Sequence, residues 1–396
     1  MKRRDFLKLS GGLGLGAMLP GRVRANQGPL GSVPLLVTVQ ASGGWDVTMI
    51  CDPKGHDVKE INRDFTFSQT VPFGSHGLRV APYDFNTDFF DTYLSDMTVL
   101  NGVNTRVASH VLGQKTSWTG KSTASYPSLA ALYAAVHGPT LPLSYFSTGG
   151  FDGASGLLPV ARLPNPSQLS DVVDPVSHFS SVDLSRIRTA LNHRYGSLVA
   201  GGGSSSKLRR QEAMALAMQE AHLQADGLEA LKGLSYPYGT GSNAQKRQAY
   251  MILKAYQAGL LTSANIMLPN FDTHGDNDVQ QKERISTLFE TVHYLMTHAA
   301  SLINNDIIVV IGSDFGRTNG YNNDDGKEPW NIGSYIILNP QQSDPFFTGS
   351  GTVHGVTTPT HTIPSGMTAM TTADVHIELR RFLGLNGWQS APYPLS

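Results

Sequence analysis

The sequence has little cysteine, no long apolar run and almost no net charge, and each shortage excludes a class of protein. Cys51 is the only cysteine among 396 residues, so no disulfide forms within the chain. No uninterrupted apolar run approaches the ~20 residues that span a bilayer, so we predict no transmembrane segment. The net charge of −1 argues against nucleic acid or an acidic membrane surface as the main partner.

What is present is an ordinary globular composition, with 40% hydrophobic and 15% charged residues. The length suits one large domain or two. Cys51 follows Asp46 closely and has two interpretations. It is a metal ligand or nucleophile, or it is a small buried apolar residue, which is the commoner role of a lone cysteine. We favour the buried residue.

The N-terminus predicts a targeting segment. Residues 3–8 read RRDFLK, a twin-arginine export pattern, and a Gly-rich apolar stretch over 9–19 leads to a small-residue cleavage site at 23–25. The alternative is a basic amphipathic helix. The order of the basic, apolar and cleavage features favours a signal peptide over residues 1–25. We therefore expect export in the folded state by the twin-arginine machinery, to the periplasm or beyond, and a mature domain over 26–396.

Apolar strands alternate with helical segments along the mature chain. Residues 33–39 and 306–311 are short, continuous and rich in β-branched side chains, which is typical of strands buried on both faces. This alternation predicts an α/β domain with a mostly parallel sheet and helices on both faces. A helical region over 183–260 interrupts it, and we expect an insertion or cap there. Helices are predicted over 128–136, 183–198, 207–232, 243–260, 278–302 and 372–383, with a linker at 201–206.

An acidic residue follows each of three strand-like runs. The first run is followed by Asp46, a later run by Asp272 and His274, and a third by Asp314. Because ligands of open α/β sheets sit outside the carboxyl ends of the strands, these side chains are expected to converge on a metal or a phosphate-like group.

Each of these motifs also has a simpler interpretation. Asp272 and His274, two apart in an extended turn, suit Zn²⁺ or a similar transition metal, but the turn also fits a polar loop with a capping Asp. Asp314 is a functional carboxylate or an N-cap for the turn that follows, and Arg317 either neutralises it or binds an anion. Asp46 follows two glycines that allow close backbone approach.

The segment after the second strand is a candidate source of a nucleophile. Ser109 and His110 precede a predicted helix that ends near Gly120. A hydroxyl at a helix N-terminus and beside a metal is activated by the positive end of the dipole and by a lowered pKa. The simpler interpretation is a capping Ser with a surface His.

Together these motifs resemble a known bacterial family. The residues that carry the likeness are GGWD at 43–46, SH at 109–110 with WTG at 118–120, FDTHG at 271–275 and SDFGRT at 313–318. In this order, behind a twin-arginine leader, they resemble the exported domain-of-unknown-function 1501 family, which is grouped with the alkaline phosphatase and sulfatase fold. The resemblance covers nearly the whole mature chain.

This resemblance implies an alkaline-phosphatase-like fold and a two-metal hydrolase site. One ion would be held by Asp46 and Asp314, and a second by Asp272 and His274 with another His. The nucleophile position of the family falls at His110, beside Ser109, so His110 becomes an additional candidate ligand. The metal would be Zn²⁺, or else Mn or Fe, and the substrate a small anionic ester.

The chain departs from the family pattern at two further positions. Phe315 stands where phosphatases have a His, and Glu328 with Pro329 stands where relatives show an Asp–His pair. The remaining residues are compatible with one ion or two. The leading hypothesis is an exported hydrolase of phosphate or sulfate esters, with Ser109 or water as nucleophile and Arg317 stabilising the anion. The alternative is a non-catalytic binding or assembly protein, with an unknown protein partner, that retains the fold.

Overall fold

The computed structural model describes most of the predicted mature domain. The described residues are 33–55, 62–74, 77–122, 126–163, 243–341, 353–354 and 370–385, with isolated positions between 185 and 237. The predicted signal peptide over 1–25, the linker at 201–206 and the helix over 207–232 fall outside the described residues, apart from isolated positions of that helix.

Twelve strands and six helices make up the described part of the chain. The strands are β1 Leu35–Ala41, β2 Val71–Phe73, β3 Leu78–Val80, β4 Met97–Asn104, β5 Tyr145–Ser147, β6 Val160–Arg162, β7 Ser263–Leu268, β8 Ile307–Ser313, β9 Gly316–Arg317, β10 Pro329–Trp330, β11 Ile332–Leu338 and β12 Val353–His354. The helices are α1 Asp84–Tyr93, α2 His110–Thr119, α3 Leu129–His137, α4 Ala244–Gln257, α5 Asn277–Ile303 and α6 Thr372–Phe382.

The main sheet has eight strands in the order β12-β4-β11-β8-β1-β7-β5-β6. The central strand β1 pairs in parallel with both β7 and β8. Only β11 runs against its neighbours, pairing antiparallel with β4 and β8. The prediction of a mostly parallel sheet is therefore confirmed.

Helices cover both faces of this sheet. Alternate residues of β1 enter different cores, with Val37 in the larger cluster and Leu36 in the smaller. The larger core takes side chains from α1, α4 and α5, and the smaller takes side chains from α2, α3 and α6. Because each fully buried Leu, Ile or Phe contributes about 1.5–3 kcal/mol, these two cores are the main source of stability.

The helix predicted over 243–260 is present as α4, and it belongs to the main core. The side chain of Asn243 caps it by accepting from the backbone N–H of Lys246. Met251 and Ile252 are buried in the larger core, and α4 packs against α5 and β7. Of the helix predicted over 183–198, only isolated positions are described, so an insertion or cap in that region stays a prediction.

Cys51 is a buried core residue. Burial, with the neighbouring charge of Asp52, raises the pKa of its thiol to about 12. A thiol with so high a pKa is not a thiolate ligand or nucleophile at neutral pH. Within the described residues, no helix is long and apolar enough to cross a membrane.

Candidate metal centre

Three adjacent strands carry the site on the loops that follow them. The strands β7, β1 and β8 are neighbours in the sheet and run in parallel, so their carboxyl ends lie at one edge. In the loop after β7, Phe271 and Thr273 are buried while Asp272 and His274 are exposed. This alternation places Asp272 and His274 on the same side of the loop, as their spacing predicts.

Asp272, His274 and His110 form a compact group, which we call the metal trio. Their potential ligand atoms all lie within 4.8 Å of one another. The two oxygens of Asp272 each face one imidazole, with His110 Nε2 at 3.3 Å from Oδ2 and His274 Nε2 at 3.0 Å from Oδ1. His110 reaches the group because α2 begins beside the loops that follow β7 and β8.

The other ring nitrogen of each His contacts a second carboxylate. His110 Nδ1 lies 3.1 Å from Asp314 Oδ2, and His274 Nδ1 lies 2.9 Å from Glu328 Oε2. A carboxylate on the far nitrogen fixes the ring orientation and the tautomer of a metal-binding His. Both imidazoles therefore have one nitrogen held by the protein and one nitrogen facing Asp272.

Asp314 lies outside the trio and orients His110. Its Oδ2 accepts hydrogen bonds from the backbone N–H of Gly43 at 3.0 Å and from Gln114 Nε2 at 3.3 Å, besides its contact with His110. Burial raises the pKa of Asp314, although these hydrogen bonds oppose the shift. The predicted ligand Asp314 thus converges on the site, but through His110.

Asp46 does not join the trio. It is fully buried, and Lys327 Nζ lies 2.7 Å from its Oδ2. Asn277 Nδ2 donates to the same oxygen at 3.1 Å, and Thr48 donates to the other from its backbone and its hydroxyl. Burial alone would raise the pKa of Asp46, but the charge and hydrogen bond of Lys327 outweigh it and lower the pKa. The metal pair expected from Asp46 and Asp314 is therefore not formed, because an ammonium group already neutralises Asp46.

Arg317 holds these loops together from inside the protein. Its side chain is completely buried, and its Nη2 donates to Asp272 Oδ1 at 2.8 Å. Burial tends to raise the pKa of Asp272, yet the hydrogen bond and charge of Arg317 bring that pKa below its usual value. The guanidinium also donates to four backbone carbonyls, those of Gly43, Gly44, Phe271 and Lys327. All three of its nitrogens are thus engaged by the protein, whereas the sequence predicted that Arg317 binds a substrate anion.

Ser109 and Phe315 flank His110. Ser109 is the exposed N-cap residue of α2, and its side chain makes no capping hydrogen bond. Its hydroxyl is thus not engaged in the cap that the simpler interpretation assigned to it. Phe315 is buried, and its ring centroid lies 4.9 Å from that of His110. The aromatic residue at the expected ligand position therefore packs against a ligand imidazole instead.

Two residues of the site were missed by the motif analysis. Glu328 was noted only as a departure from the family pattern, although its carboxylate contacts His274. Hydrogen bonds from Asn322 and His274 lower the pKa of Glu328. Lys327 lies outside every motif identified in the sequence. The one signal for both was their position directly before Pro329, where the family pattern places site residues.

A family described as "Protein of unknown function (DUF1501)" matches residues 34–338. No curated protein matches the chain. Solved structures with similar architecture include the alkaline phosphatase from the Antarctic bacterium TAB5, at 10% identity and a TM-score of 0.37, covering 90% of this chain and 99% of that one. They also include Ps i-CgsB, at 10% identity and a TM-score of 0.41, covering 89% and 72%.

A third similar structure is a Bacteroides thetaiotaomicron protein solved in work on the metabolism of multiple glycosaminoglycans. It has 9% identity and a TM-score of 0.41, and the match covers 91% of this chain and 74% of that one. Likenesses at this level carry no inference about activity. The family match spans most of the chain, so the chain belongs to the DUF1501 family.

Proposed function

We propose that this member of the DUF1501 family is a hydrolase that binds one divalent metal ion through His110, Asp272 and His274. Its substrate would be a small phosphate or sulfate ester. The observation that carries the proposal is the geometry of the metal trio, in which two imidazole Nε2 atoms face the two oxygens of one carboxylate. The substrate class rests on the family resemblance in the sequence.

The donor set fits a borderline transition metal. Two imidazole nitrogens and one carboxylate oxygen suit Zn²⁺, with Fe or Mn as alternatives. Three protein ligands leave a coordination position for water or substrate, which is typical of catalytic rather than structural zinc sites. The side chains of Asp272 and His274 are 42% and 49% exposed, so an ion and a substrate have access from solvent.

One ion fits the described residues better than two. The other site implied by the resemblance requires Asp46 and Asp314 as ligands, and Asp46 is buried and paired with Lys327. A buried carboxylate that already has an ammonium partner gains little from a metal ion. Removing that partner would instead leave an uncompensated buried charge.

The chain's own residues have distinct tasks in this site. Bound Zn²⁺ would polarise the ester and lower the pKa of a bound water. Asp314 and Glu328 hold the imidazoles so that each Nε2 faces the ion position, and Arg317 fixes Asp272. Ser109 is exposed directly before His110 at the positive end of α2, where its hydroxyl is available as an alternative nucleophile to water.

Metal content is the first test of this proposal. We expect about one equivalent of Zn, Mn or Fe in protein purified without chelator. The substitution His274→Ala should abolish retention of the ion. The matched control is His293→Ala, which removes an exposed His of α5 outside the trio and should leave the metal content unchanged. A wild-type protein that binds no added divalent ion would overturn the proposal.

Turnover is the second test. Aryl phosphates and aryl sulfates should be hydrolysed by the metal-loaded wild type and not by His274→Ala. If water is the nucleophile, Ser109→Ala retains activity. If Ser109 attacks, the same variant loses activity but keeps its metal. Metal binding without turnover of any ester would reject the hydrolase and leave a binding protein.

That binding protein is the second candidate function. Two observations favour it: Lys327 closes the Asp46 position, and apolar side chains are exposed beside the trio. Val111 and Leu112, the residues after His110, are 77% and 41% exposed. In that case the metal would stabilise the fold or a contact with a protein partner.

Export belongs to the same proposal. The twin-arginine pattern at residues 3–8 supports delivery of the folded protein outside the cytoplasm. Replacing both arginines by lysine should retain the precursor in the cytoplasm of a host that has the twin-arginine machinery. Export that is unaffected by this change would reject the assigned route.

A further inference from the structure

We infer that Glu328 is a positioning residue that sets the tautomer and orientation of His274 for metal binding. This inference rests on the proposed metal site. His274 Nδ1 lies 2.9 Å from Glu328 Oε2, and Nε2 of the same ring lies 3.0 Å from Asp272 Oδ1. A neutral imidazole carries its proton on only one nitrogen. When Glu328 accepts the proton of Nδ1–H, the lone pair is on Nε2, which is the nitrogen that faces the ion position.

Glu328 is itself held in place by Asn322. The side-chain amide of Asn322 donates to Glu328 Oε1 at 2.9 Å and to the backbone carbonyl of His274 at 2.9 Å. The oxygen of the same amide accepts from the backbone N–H groups of Asp324 and Gly326. Both carboxylate oxygens of Glu328 are thus used, one on Asn322 and one on His274.

The backbone around Glu328 is fitted closely against the loop that carries His274. Lys327 N donates to Thr273 O at 3.0 Å, and Asp276 N donates to Asp324 O at 3.0 Å. A Cβ at Gly326 would lie 2.0 Å from the carbonyl carbon of His274, so only glycine fits this approach. The segment 322–328 is therefore held against His274 along its length.

Lys327 anchors the same segment at its other side. It lies between Gly326 and Glu328, and its ammonium group enters the buried pocket of Asp46 at 2.7 Å. Three consecutive residues thus have separate tasks: Gly326 permits the close approach, Lys327 anchors the segment and Glu328 contacts the ligand. Asp46 does not contact the metal trio, but it holds Lys327 and thereby the backbone that carries Glu328.

A purely structural role for Glu328 makes a different prediction. The carboxylate is half-exposed, and exposed ion pairs contribute little to stability. Loss of an outer carboxylate on a metal-binding His, in contrast, typically weakens metal affinity by about 10–100-fold. Metal affinity and the tautomer of His274 thus distinguish positioning from simple stabilisation.

The test compares Glu328→Ala and Glu328→Gln with Asp324→Asn. Asp324→Asn removes one negative charge from the same loop and controls for general electrostatics. Zn²⁺ affinity is measured by competition with a chromophoric chelator, and the ring nitrogens of His274 are observed by ¹⁵N NMR in the metal-free protein. We expect Glu328→Ala to lose about 10–100-fold in affinity and to shift the neutral ring of His274 from the Nδ1–H toward the Nε2–H tautomer, because Asp272 is then the only carboxylate that faces the ring. Glu328→Gln should lose less, and Asp324→Asn should match wild type.

Two results would overturn the inference. The first is wild-type affinity together with the wild-type tautomer in Glu328→Ala. The second is an equal loss of affinity in Asp324→Asn, which would assign the effect to net charge. Failure of the proposed function is seen separately, as a wild-type protein that binds no Zn²⁺, and in that event the NMR comparison in the metal-free protein still decides whether Glu328 sets the tautomer.

Discussion

Asp46 and Asp272 follow neighbouring parallel strands, yet they lie in opposite environments. Asp46 is fully buried and neutralised by Lys327, whereas Asp272 is 42% exposed and faces two imidazoles. Sequence motifs treat both as acids at strand ends. They differ in the source of the positive charge that balances the carboxylate. Lys327 supplies that charge to Asp46, whereas the trio that contains Asp272 has room for an external ion.

The two regions are nevertheless connected. Arg317 donates to Asp272 and to the backbone carbonyl of Lys327, and Glu328 follows Lys327 directly. We call the buried Asp46–Lys327 pair the closed pocket and the metal trio the open site. A change in the closed pocket is therefore expected to alter the open site. Removal of the His274 ring, in contrast, is expected to leave the core intact, since this side chain is half-exposed.

The largest expected effect is on the closed pocket. Lys327→Met leaves the buried carboxylate of Asp46 without its charged partner, so the free energy of unfolding should fall by about 3–5 kcal/mol. Denaturant titration measures this change.

The double variant Asp46→Asn with Lys327→Met is the control for that prediction. Since it removes both members of the buried ion pair, it should recover part of the lost free energy of unfolding. A single variant as stable as wild type would mean that the closed pocket does not depend on its internal cation.

The second effect is in the open site, where we expect a large loss of metal affinity and little loss of stability. His274→Ala should weaken metal affinity by more than the ~10–100-fold expected for loss of an outer partner. The free energy of unfolding of the metal-free protein should change by at most ~0.5 kcal/mol, because the ring is half-exposed. Metal titration and denaturant titration on the same sample check both statements. A large loss of stability without the metal would contradict the contrast between the two regions.

The third effect probes the contact between the two regions. Gly326→Ala places a methyl group against the backbone of His274, and overpacking of this kind costs about 1–3 kcal/mol. We expect a lower melting temperature together with weaker metal binding. Gly320→Ala is the matched control in the same loop, because a Cβ there meets nothing within 4 Å. Equal behaviour of the two variants would show that the close approach is unimportant.

The smallest effect is a dependence on pH. The pKa of Asp46 is lowered in the folded protein, mainly by Lys327 acting against the effect of burial. A carboxyl of this kind stabilises the fold above its unfolded pKa of about 3.9, and that stability is lost as pH falls through the folded pKa.

Unfolding measured as a function of pH checks this sign. The stability of wild type should fall more steeply below about pH 4 than that of the Asp46→Asn, Lys327→Met double variant. Since the pKa of Asp272 is also lowered, the double variant should keep part of the slope. Identical slopes would exclude a contribution from Asp46.

Much of the fold was predictable from local pattern. The runs Leu35–Ala41 and Ile307–Ser313 are rich in aliphatic side chains and buried throughout, because both of their faces are covered by helices. The long helix α5 has helical periodicity and was predicted within one residue of its ends. The edge elements were less predictable, since β9, β10 and β12 have two residues each and depend on pairing with distant strands.

The site was predictable only in part. Asp272 and His274 are two residues apart, and side chains at this spacing share a direction in an extended chain, so their proximity was predictable from spacing alone. Glu328 and Lys327 are distant in sequence from the residues they contact, and neither stands in a motif that indicates those partners. Arg317 was recognised, but its donors are used on backbone carbonyls whose positions no motif specifies.

The sequence by itself determined the class of fold and which acidic and imidazole groups stand at strand ends, because both follow from local periodicity and spacing. The tertiary structure alone decided which of those groups remain open to an ion. That decision depends on Lys327, which reaches Asp46 from a distant loop, and on Asp314 and Glu328, which orient the imidazoles across the fold. Charge compensation between residues far apart in the chain is a property of the folded state, and no local pattern specifies it.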